Sequence, residues 1–372
     1  MEWLLAILEI AVPFLVVLTL LVFVHELGHY WVARRSGVRV QVFSIGFGPE
    51  LFGWNAASGT RWRVSALPLG GYVKMLGDMD ATSRPDDEGL QQLSTEERSQ
   101  SFPAQSLGAR AAIVAAGPIA NFIFAWILLA LLFVVVGRPV TPAVISDVLP
   151  DSAAAAAGLQ AGDRIEAING TAVGRFEEVQ RAVQLNLDQP LTITVERDGR
   201  LLDLAARPAM IVETDANGCE VRLARLGVRA TGTEVEHLGP AEGLWVAATE
   251  TWSIASDTLA GVWQIVVGTR TADELGGPIR IAEMSGQVAQ VGLVSLVFFM
   301  ALLSVNLGLI NLFPIPMLDG GHLLFYAYEA VRGRPLGPRA QEIGFKVGLG
   351  LVLALMLFAT VNDILRIDAC TG

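Results

Sequence analysis

Three side chains in the stretch VFVHELGHYW could bind a metal ion and activate water: His25, Glu26 and His29. Residues four apart lie on the same face of a helix, so both imidazoles can bind one ion. Glu26 lies beside them, where it can take a proton from a water molecule on that ion. The pattern therefore predicts a hydrolytic metal centre. Two histidines that hydrogen-bond across a helix interface are the alternative interpretation.

The elements that must position these side chains are membrane helices. Of the 372 residues, 52% are hydrophobic and 17% are charged, and the mean hydropathy is +0.50. This composition is typical of a membrane protein with a soluble portion. The formal net charge of −11, without a run of basic residues, argues against nucleic-acid binding. Cys219 and Cys370 lie far apart, so neither a disulfide framework nor a cysteine zinc site is expected.

Four apolar stretches are long enough to cross a bilayer, which takes roughly 20 residues. They are residues 3–24, 111–136, 291–318 and 343–361. Basic residues mark the cytoplasmic side of short loops. Such residues follow the first stretch, precede the second, and separate the third from the fourth: Arg34, Arg35, Arg39, Arg110, Arg332, Arg334 and Arg339. We therefore expect two cytoplasmic loops, and both termini and the long segment 138–290 on the other side.

The predicted fold class is an α-helical polytopic membrane protein with four transmembrane helices, a re-entrant β segment on the cytoplasmic side and one exported α+β domain. The predicted segments follow in chain order: transmembrane helix 1 at 1–36, a loop with a β hairpin at 37–106, transmembrane helix 2 at 107–137, the exported domain at 138–208, strands and amphipathic helices at 209–290, transmembrane helix 3 at 291–319, a cytoplasmic loop at 320–342, and transmembrane helix 4 at 343–363.

A catalytic zinc ion takes three protein ligands and keeps one position open, so a third ligand is needed. A histidine six positions after His29 would serve, but Arg35 occupies that position. Glu50 is the nearest downstream carboxylate, although glycines and a proline interrupt any helix that would present it. Asp319 is the better candidate because the first and third spans run in the same direction and end at similar depth. A turn residue in an Asp-Gly pair is the alternative for Asp319.

The loop after the first span contains two strand-like segments, VFSIGFGPELFGW and RWRVSALPLGGYVKM. Irregular backbone at membrane depth is tolerated only where protein or a cavity shelters it. A sheet edge at that depth could capture an unwound substrate by strand addition. We therefore name four candidate substrate-binding residues in the second segment: Val64, Ala66, Gly70 and Gly71. An ordinary cytoplasmic hairpin is the alternative.

Three motifs together resemble the site-2 protease family of intramembrane zinc metalloproteases, and most closely its bacterial RseP type. They are HELGH, GPIAN at 117–121 and NLFPIPMLDGGH at 311–322. The resemblance implies that His25, His29 and Asp319 bind Zn²⁺ and that Glu26 is the general base. It also suggests that Asn311 helps to hold the substrate or the developing oxyanion, with an interhelical hydrogen bond as the alternative role.

Residues 141 to about 207 resemble a PDZ domain, with GLQAGDRIEAING as the landmark. PDZ domains bind extended peptides at a strand edge, so this one would screen substrates by their external portion. A spacer without peptide binding is the alternative. Only one PDZ domain is found, whereas well-known RseP-type members carry two in tandem. After it, Trp245, Trp252 and Trp263 suit a helix at the membrane interface.

The sequence therefore predicts a zinc endopeptidase of the bacterial inner membrane. Its expected substrates are single-pass membrane proteins that another protease has already cut on the periplasmic side. Anti-sigma factors, as in regulated intramembrane proteolysis and the sigma-E stress response, are the first guess, and remnant signal peptides are the second. Membrane lipid is the other expected partner. A PDZ-bearing scaffold would not need Glu26, and a metal transporter would not need a strand-capturing loop, so these two classes are the rivals.

Overall fold

The computed structural model describes residues 2–78, 92–186, 189–214, 220–230, 232, 234–269 and 276–371. The chain divides into two compact units. The first comprises Met1–Leu129, Ala247–Ala255 and Gly276–Thr360, and the second comprises Ala130–Val246, Ser256–Leu275 and Val361–Gly372. Cys219 lies outside the described residues, so the expectation of neither a disulfide framework nor a cysteine zinc site stays a prediction.

Helices account for most of the first unit. In chain order the described helices are α1 (Glu2–Arg35), α2 (Thr95–Ser99), α3 (Leu107–Val135), α4 (Ala153–Ala156), α5 (Phe176–Leu185), α6 (Pro240–Val266), α7 (Pro278–Val291), α8 (Leu293–Asn311), α9 (Asp319–Arg332) and α10 (Pro338–Thr371). Four of them contain segments long and apolar enough to cross a membrane: Ile7–Arg35, Leu107–Val135, Leu293–Asn311 and Arg339–Leu365. The four predicted spans are therefore confirmed by length and composition.

The third span is shorter than the sequence predicts, because α8 ends at Asn311 and α9 begins at Asp319. Pro314 and Pro316 stand between them, and proline has no N–H to continue a helix. The predicted cytoplasmic loop at 320–342 begins with a helix, since Asp319–Arg332 is helical, and its location on the cytoplasmic side stays a prediction. Apolar content alone could not separate these two helices.

The predicted β hairpin is present, as β1 (Val40–Asn55) and β2 (Arg61–Met75). Its pairing is more complex than that of two straight strands. Residues 42–45 pair on one side with residues 71–74 and on the other with 61–64. Residues 61–65 pair again with 50–55, so the two strands form four adjacent segments. Residues 50–55 and 71–75 are therefore the outer segments of this small sheet.

Aromatic side chains pack the hairpin against α1. Phe43 is fully buried and stacks on Trp62, with ring centroids 4.2 Å apart. Tyr30 of α1 meets both rings edge-on, at 5.7 and 5.3 Å. Such contacts bury large apolar areas and fix the relative orientation of the packed elements. The hairpin is thereby held beside the turn of α1 that carries HELGH.

The second unit contains the remaining described strands, namely β3 (Arg138–Val140), β4 (Ile145–Val148), β5 (Arg164–Ile168), β6 (Thr171–Ala172), β7 (Leu191–Arg197), β8 (Arg200–Ala206), β9 (Ala209–Thr214), β10 (Glu220–Arg225), β11 (Val228–Ala230) and β12 (Glu234–Glu236). Strands β6-β5-β7-β8 form an antiparallel sheet in that order. Its buried side chains, which include Ile165 and Ile193, pack with Val179 of α5 in one core.

The fold of the second unit continues beyond the predicted domain end at residue 208. Strand β11 pairs with β4, which belongs to the start of the predicted domain. Ala224 and Leu226 are also part of the core around Ile165. The sequence did not indicate that the chain returns to pair with β4, because short strands that pair across about 80 residues leave no local pattern. The residues after 208 thus complete the fold rather than follow it.

Candidate metal centre and active-site cavity

His25, His29 and Asp319 come together around one point. The Nε2 atoms of the two histidines are 3.2 Å apart. Asp319 Oδ2 lies 3.2 Å from Nε2 of His25, and Asp319 Oδ1 lies 3.6 Å from Nε2 of His29. A tetrahedral zinc ion with bonds of about 2.0–2.1 Å keeps its ligand atoms about 3.4 Å apart. The three separations match that spacing, so this donor set fits zinc.

The buried carboxylate gives a second indication of a ligand at this point. Asp319 Oδ2 is buried and has no hydrogen-bond partner among the described residues, although it lies 3.2 Å from His25 Nε2. Buried polar atoms nearly always have a partner, and each exception needs an explanation. A cation held between the carboxylate and the two imidazoles would explain the unpaired oxygen.

Helix α3 orients both imidazoles from behind. The Nδ1 atom of His29 lies 2.9 Å from the carbonyl oxygen of Ile113, so Nδ1 donates and the lone pair of Nε2 faces the centre. The Nδ1 atom of His25 lies 3.2 Å from the amide of buried Asn121. A 180° rotation of that amide brings its oxygen to His25, where it would accept a hydrogen bond and direct the Nε2 lone pair inward. Such outer contacts set the tautomer of metal-binding histidines.

Two glycines let α3 approach α1 this closely. A Cβ atom on Gly117 would lie 2.3 Å from His29 Nε2 and 2.9 Å from His25 Cε1. A Cβ atom on Gly28 would lie 2.3 Å from the carbonyl oxygen of Ala116. Small residues at helix interfaces in membranes permit such close backbone approach. Any side chain at Gly117 would occupy the space of the imidazoles themselves.

A constrained turn presents Asp319 to the histidines. Met317, two residues earlier, has a φ of 97°, which side chains other than glycine rarely adopt. A Cβ atom on Gly320 would lie 2.2 Å from the carbonyl oxygen of Leu312, so the start of α9 packs directly against the turn after α8. Such backbone strain persists where surrounding packing fixes it, and it concentrates at functional sites. Here it fixes the position of the carboxylate.

A cavity adjoins the centre. Its walls come from α1, α3, β2 and the α8–α9 region, and the lining residues are His25, Glu26, His29, Gly71, Tyr72, Val73, Met75, Val114, Asn311, Met317, Leu318, Asp319 and His322. Glu26 therefore faces the same space as the three candidate ligands. Asn311 also lines it, and one of its amide hydrogens bonds to the carbonyl oxygen of Leu307, 3.0 Å away.

The four predicted substrate-binding residues lie at different places. Gly71 lines the cavity, and a Cβ atom there would lie 3.0 Å from Glu26 Cγ. Val64 pairs with both Ile45 and Phe52, so its main chain lies inside the sheet and away from an edge. Neither Ala66 nor Gly70 is among the residues that line the cavity. The edge of β2 that faces the cavity is therefore formed by residues 71–75.

The alternative third ligand, Glu50, lies elsewhere, on β1, where its carboxylate forms an ion pair with Arg61. Sequence reasoning missed roles for Gly117 and Asn121, although both belong to the motif GPIAN. The available signal was Asn121, an amide within a span that contains no charge, since polar groups inside membranes are costly and usually functional.

Two histidines and an aspartate around a zinc-sized space, with a glutamate in the adjoining cavity, define a metallohydrolase centre within a bundle of membrane-length helices. The sequence matches Peptidase family M50 over residues 13–355. A protein of Rhizobium meliloti that carries the provisional name of a zinc metalloprotease is 48% identical over 362 residues, which are 96% of this chain and 97% of that protein. A similarly named protein of Agrobacterium fabrum is 48% identical over 357 residues, 95% of each chain. Metalloprotease MmpA of Caulobacter vibrioides is 38% identical over 380 residues, 96% of each chain.

The chain belongs to the M50 peptidase family, and with it to the site-2 proteases. It is a zinc-dependent metalloprotease and a membrane protein. The predicted resemblance, enzyme class and cofactor are thereby confirmed.

Proposed function

We propose that this protein is an intramembrane endopeptidase that cuts transmembrane segments of single-pass membrane proteins after a first cut on the periplasmic side. His25, His29 and Asp319 bind the zinc ion, and Glu26 is the general base. The observation that carries the proposal is the group of three ligand atoms, within 4.8 Å of one another. Two of them, from His25 and His29, belong to a helix long enough to span a bilayer.

Bound zinc supplies a positive charge that polarises the scissile carbonyl and lowers the pKa of water. The residues of the chain do the rest. Glu26 accepts a proton from the attacking water and passes it to the nitrogen of the leaving amine, so that the C–N bond breaks with a neutral amine as product. Asn311, which lines the same cavity, holds the substrate main chain or its oxygen.

The outer segment 71–75 of β2 receives the unwound substrate. A transmembrane helix hides its carbonyls in its own hydrogen bonds, so it must become extended before it is cut. Among the described residues, the main chain of 72–74 pairs with β1 on one side only. Gly71, Tyr72 and Val73 line the cavity, so a strand added there would run past the metal ligands. The exposed apolar side chains of Leu51, Phe52 and Leu67 support a hairpin that re-enters the membrane.

The basic flanks of the spans support a location in the bacterial inner membrane, with the metal centre toward the cytoplasm and residues 138–208 in the periplasm. Trp245, Trp252 and Trp263 are 71%, 76% and 65% exposed, which supports contact of α6 with the membrane surface. Anti-sigma factors of a sigma-E type response, or remnant signal peptides, are the proposed substrates, and membrane lipid is the other partner.

The second unit is proposed to be a periplasmic PDZ domain that binds the end of the trimmed substrate. A groove supports this role, because it runs between α5 and residues 224–230 and is lined by Phe176, Val179 and Val183 on the helix side. An extended peptide can lie between a helix and a strand in this way. A photo-crosslinking amino acid at Gln184, which also lines the groove, should capture the periplasmic end of a substrate. A free peptide with the sequence of that end, added in excess, should compete for the groove. Crosslinking that the peptide does not reduce would contradict this role.

The substitution Glu26→Gln tests the catalytic proposal. It keeps the size of the side chain and removes its ability to accept a proton. We expect purified Glu26→Gln protein to retain about one zinc per chain and to lose cleavage, and trimmed membrane proteins to accumulate in cells that carry it. Unchanged cleavage would exclude Glu26 as the base. Asp319→Asn should instead lower the zinc content, and full occupancy in that variant would exclude Asp319 as a ligand.

A further inference from the structure

One further side chain in the cavity has no role in the proposal above. His322 lies three residues after Asp319 on α9, so both side chains project from the same face of the helix. It lines the active-site cavity together with Glu26 and Asn311.

The ring of His322 is held by aromatic packing. Its centroid lies 5.3 Å from that of Phe345 and 6.5 Å from that of Phe325. Helix α10 brings Phe345 this close because Gly348 packs on the turn after α8, where a Cβ atom would lie 1.7 Å from the carbonyl oxygen of Pro316. A ring fixed in this way has a defined orientation before any substrate binds, as a functional group requires.

The two ring nitrogens of His322 have no hydrogen-bond partner within the part of the chain that the structure describes. Burial is the largest cause of a lowered pKa of His322. In either protonation state the imidazole carries at least one N–H donor. A largely buried N–H that the chain leaves unpaired is available to a group of the substrate.

We propose that His322 donates a hydrogen bond to the oxygen of the scissile carbonyl as this oxygen gains negative charge. The inference rests on the proposed function, since it takes this cavity as the site of peptide hydrolysis. No bond to His322 forms or breaks, and its proton stays on the imidazole. Removal of one hydrogen-bond donor that is directed at a developing oxyanion lowers kcat about 10²–10³-fold.

His322→Leu tests this role, because it removes the donor and keeps an apolar side chain in the ring's place. His322→Gln is the second variant, because its amide N–H can replace the donor. Tyr326→Phe is the matched control, since Tyr326 lies on the same helix but lines a neighbouring cavity and not this one. The assay is cleavage of a fluorogenic peptide with one apolar stretch of about 20 residues, after the cut bond has been mapped by mass spectrometry.

We expect His322→Leu to lower kcat about 10²–10³-fold with KM changed less than threefold. The kcat of His322→Gln should be at least tenfold higher than that of His322→Leu, and the kcat of Tyr326→Phe should match that of the wild type. Zinc per chain should be unchanged in all three. A phosphinic peptide, which carries a tetrahedral centre at the mapped bond, should lose affinity for His322→Leu by the same factor as kcat/KM. The uncut parent peptide should bind the inactive double variant His322→Leu,Glu26→Gln as tightly as it binds the single variant Glu26→Gln.

Each other outcome overturns the inference. Unchanged kcat in His322→Leu would show that the donor is not used. Equal losses for the parent peptide and the phosphinic peptide would show a role in substrate binding only. Loss of zinc in both His322→Leu and His322→Gln would show a role in holding the metal centre. Failure of the proposed function itself is distinguishable, since wild-type protein would then not cut the peptide, or Glu26→Gln would cut it as well.

Discussion

Replacing Gly117 by alanine should weaken zinc binding while the helices stay folded. The added Cβ atom would lie 2.3 Å from His29 Nε2, 2.5 Å from His29 Cε1 and 2.9 Å from His25 Cε1. An ordinary contact begins near 3.4 Å, so His29 must move by about 1 Å. Zinc sites keep their ligand distances within about 0.2 Å. The required displacement is several times larger, so we expect zinc affinity to fall at least about 100-fold.

The measurement is zinc per purified chain by atomic emission spectrometry, followed by competition with a chromogenic chelator. Helix content by circular dichroism shows whether the variant is folded. Gly108→Ala is the matched control, because Gly108 lies on the same helix and an added Cβ atom has no neighbour within 4 Å. The control should bind zinc and cut substrate as the wild type does.

Full zinc occupancy with unchanged affinity in Gly117→Ala would refute the assignment of the centre to this pair of histidines. The clash is with the imidazoles themselves, so no arrangement of both rings as ligands survives the extra atom without movement. An unfolded variant is recognised by its lost helix content, and Asn121→Ala, which adds no atom at this contact, would then test the same pair of histidines by zinc affinity.

Three further substitutions test separate parts of the molecule. Asn121→Ala should weaken zinc binding about 10–100-fold, since it removes the group that orients His25; unchanged affinity would contradict that role. Gly71→Ala should lower kcat/KM without loss of zinc, because its Cβ atom would push the cavity edge of β2 away from Glu26; equal activity would argue against strand addition at this edge. Burial acts to raise the pKa of Asp163, but hydrogen bonds from Arg197 and the main chain outweigh it and hold the pKa below its usual value. The ionised group therefore stabilises the second unit above the ordinary carboxyl pKa, and this contribution is lost as the pH falls through the lowered pKa. Asp163→Asn should accordingly speed hydrogen exchange in β5 and β7 at pH 7, and the difference from the wild type should vanish in acid.

The grouping of His25, His29 and Asp319, which the structure shows, could be predicted from the sequence because these residues obey simple spacing rules. His25 and His29 are linked by helix periodicity, and Asp319 by the direction of two spans, so no packing information was needed. The residues that orient the ligands could not be found in this way. Gly117 matters only because α3 crosses α1 at that point, and the pairing of Val64 on both sides depends on how two strands bend. Long-range packing and register decide such features, and they leave no periodic pattern in the sequence.

The arrangement of the centre determines the form in which a substrate can reach it. Helix α3 covers the imidazoles on one side through Ile113, Gly117 and Asn121, and the turn before α9 covers another through Asp319. The adjoining cavity has residues 71–73 of β2 in its wall. A helix about 10 Å wide keeps its carbonyls bonded along its axis, so it cannot present one of them in such a space. An extended segment can, but each main-chain group it leaves unpaired in an apolar setting costs about 1–3 kcal/mol. In the proposed function, pairing with the edge at 71–75 would offset that cost at the same residues that would bring the scissile bond to Glu26, so capture and hydrolysis would require the same edge.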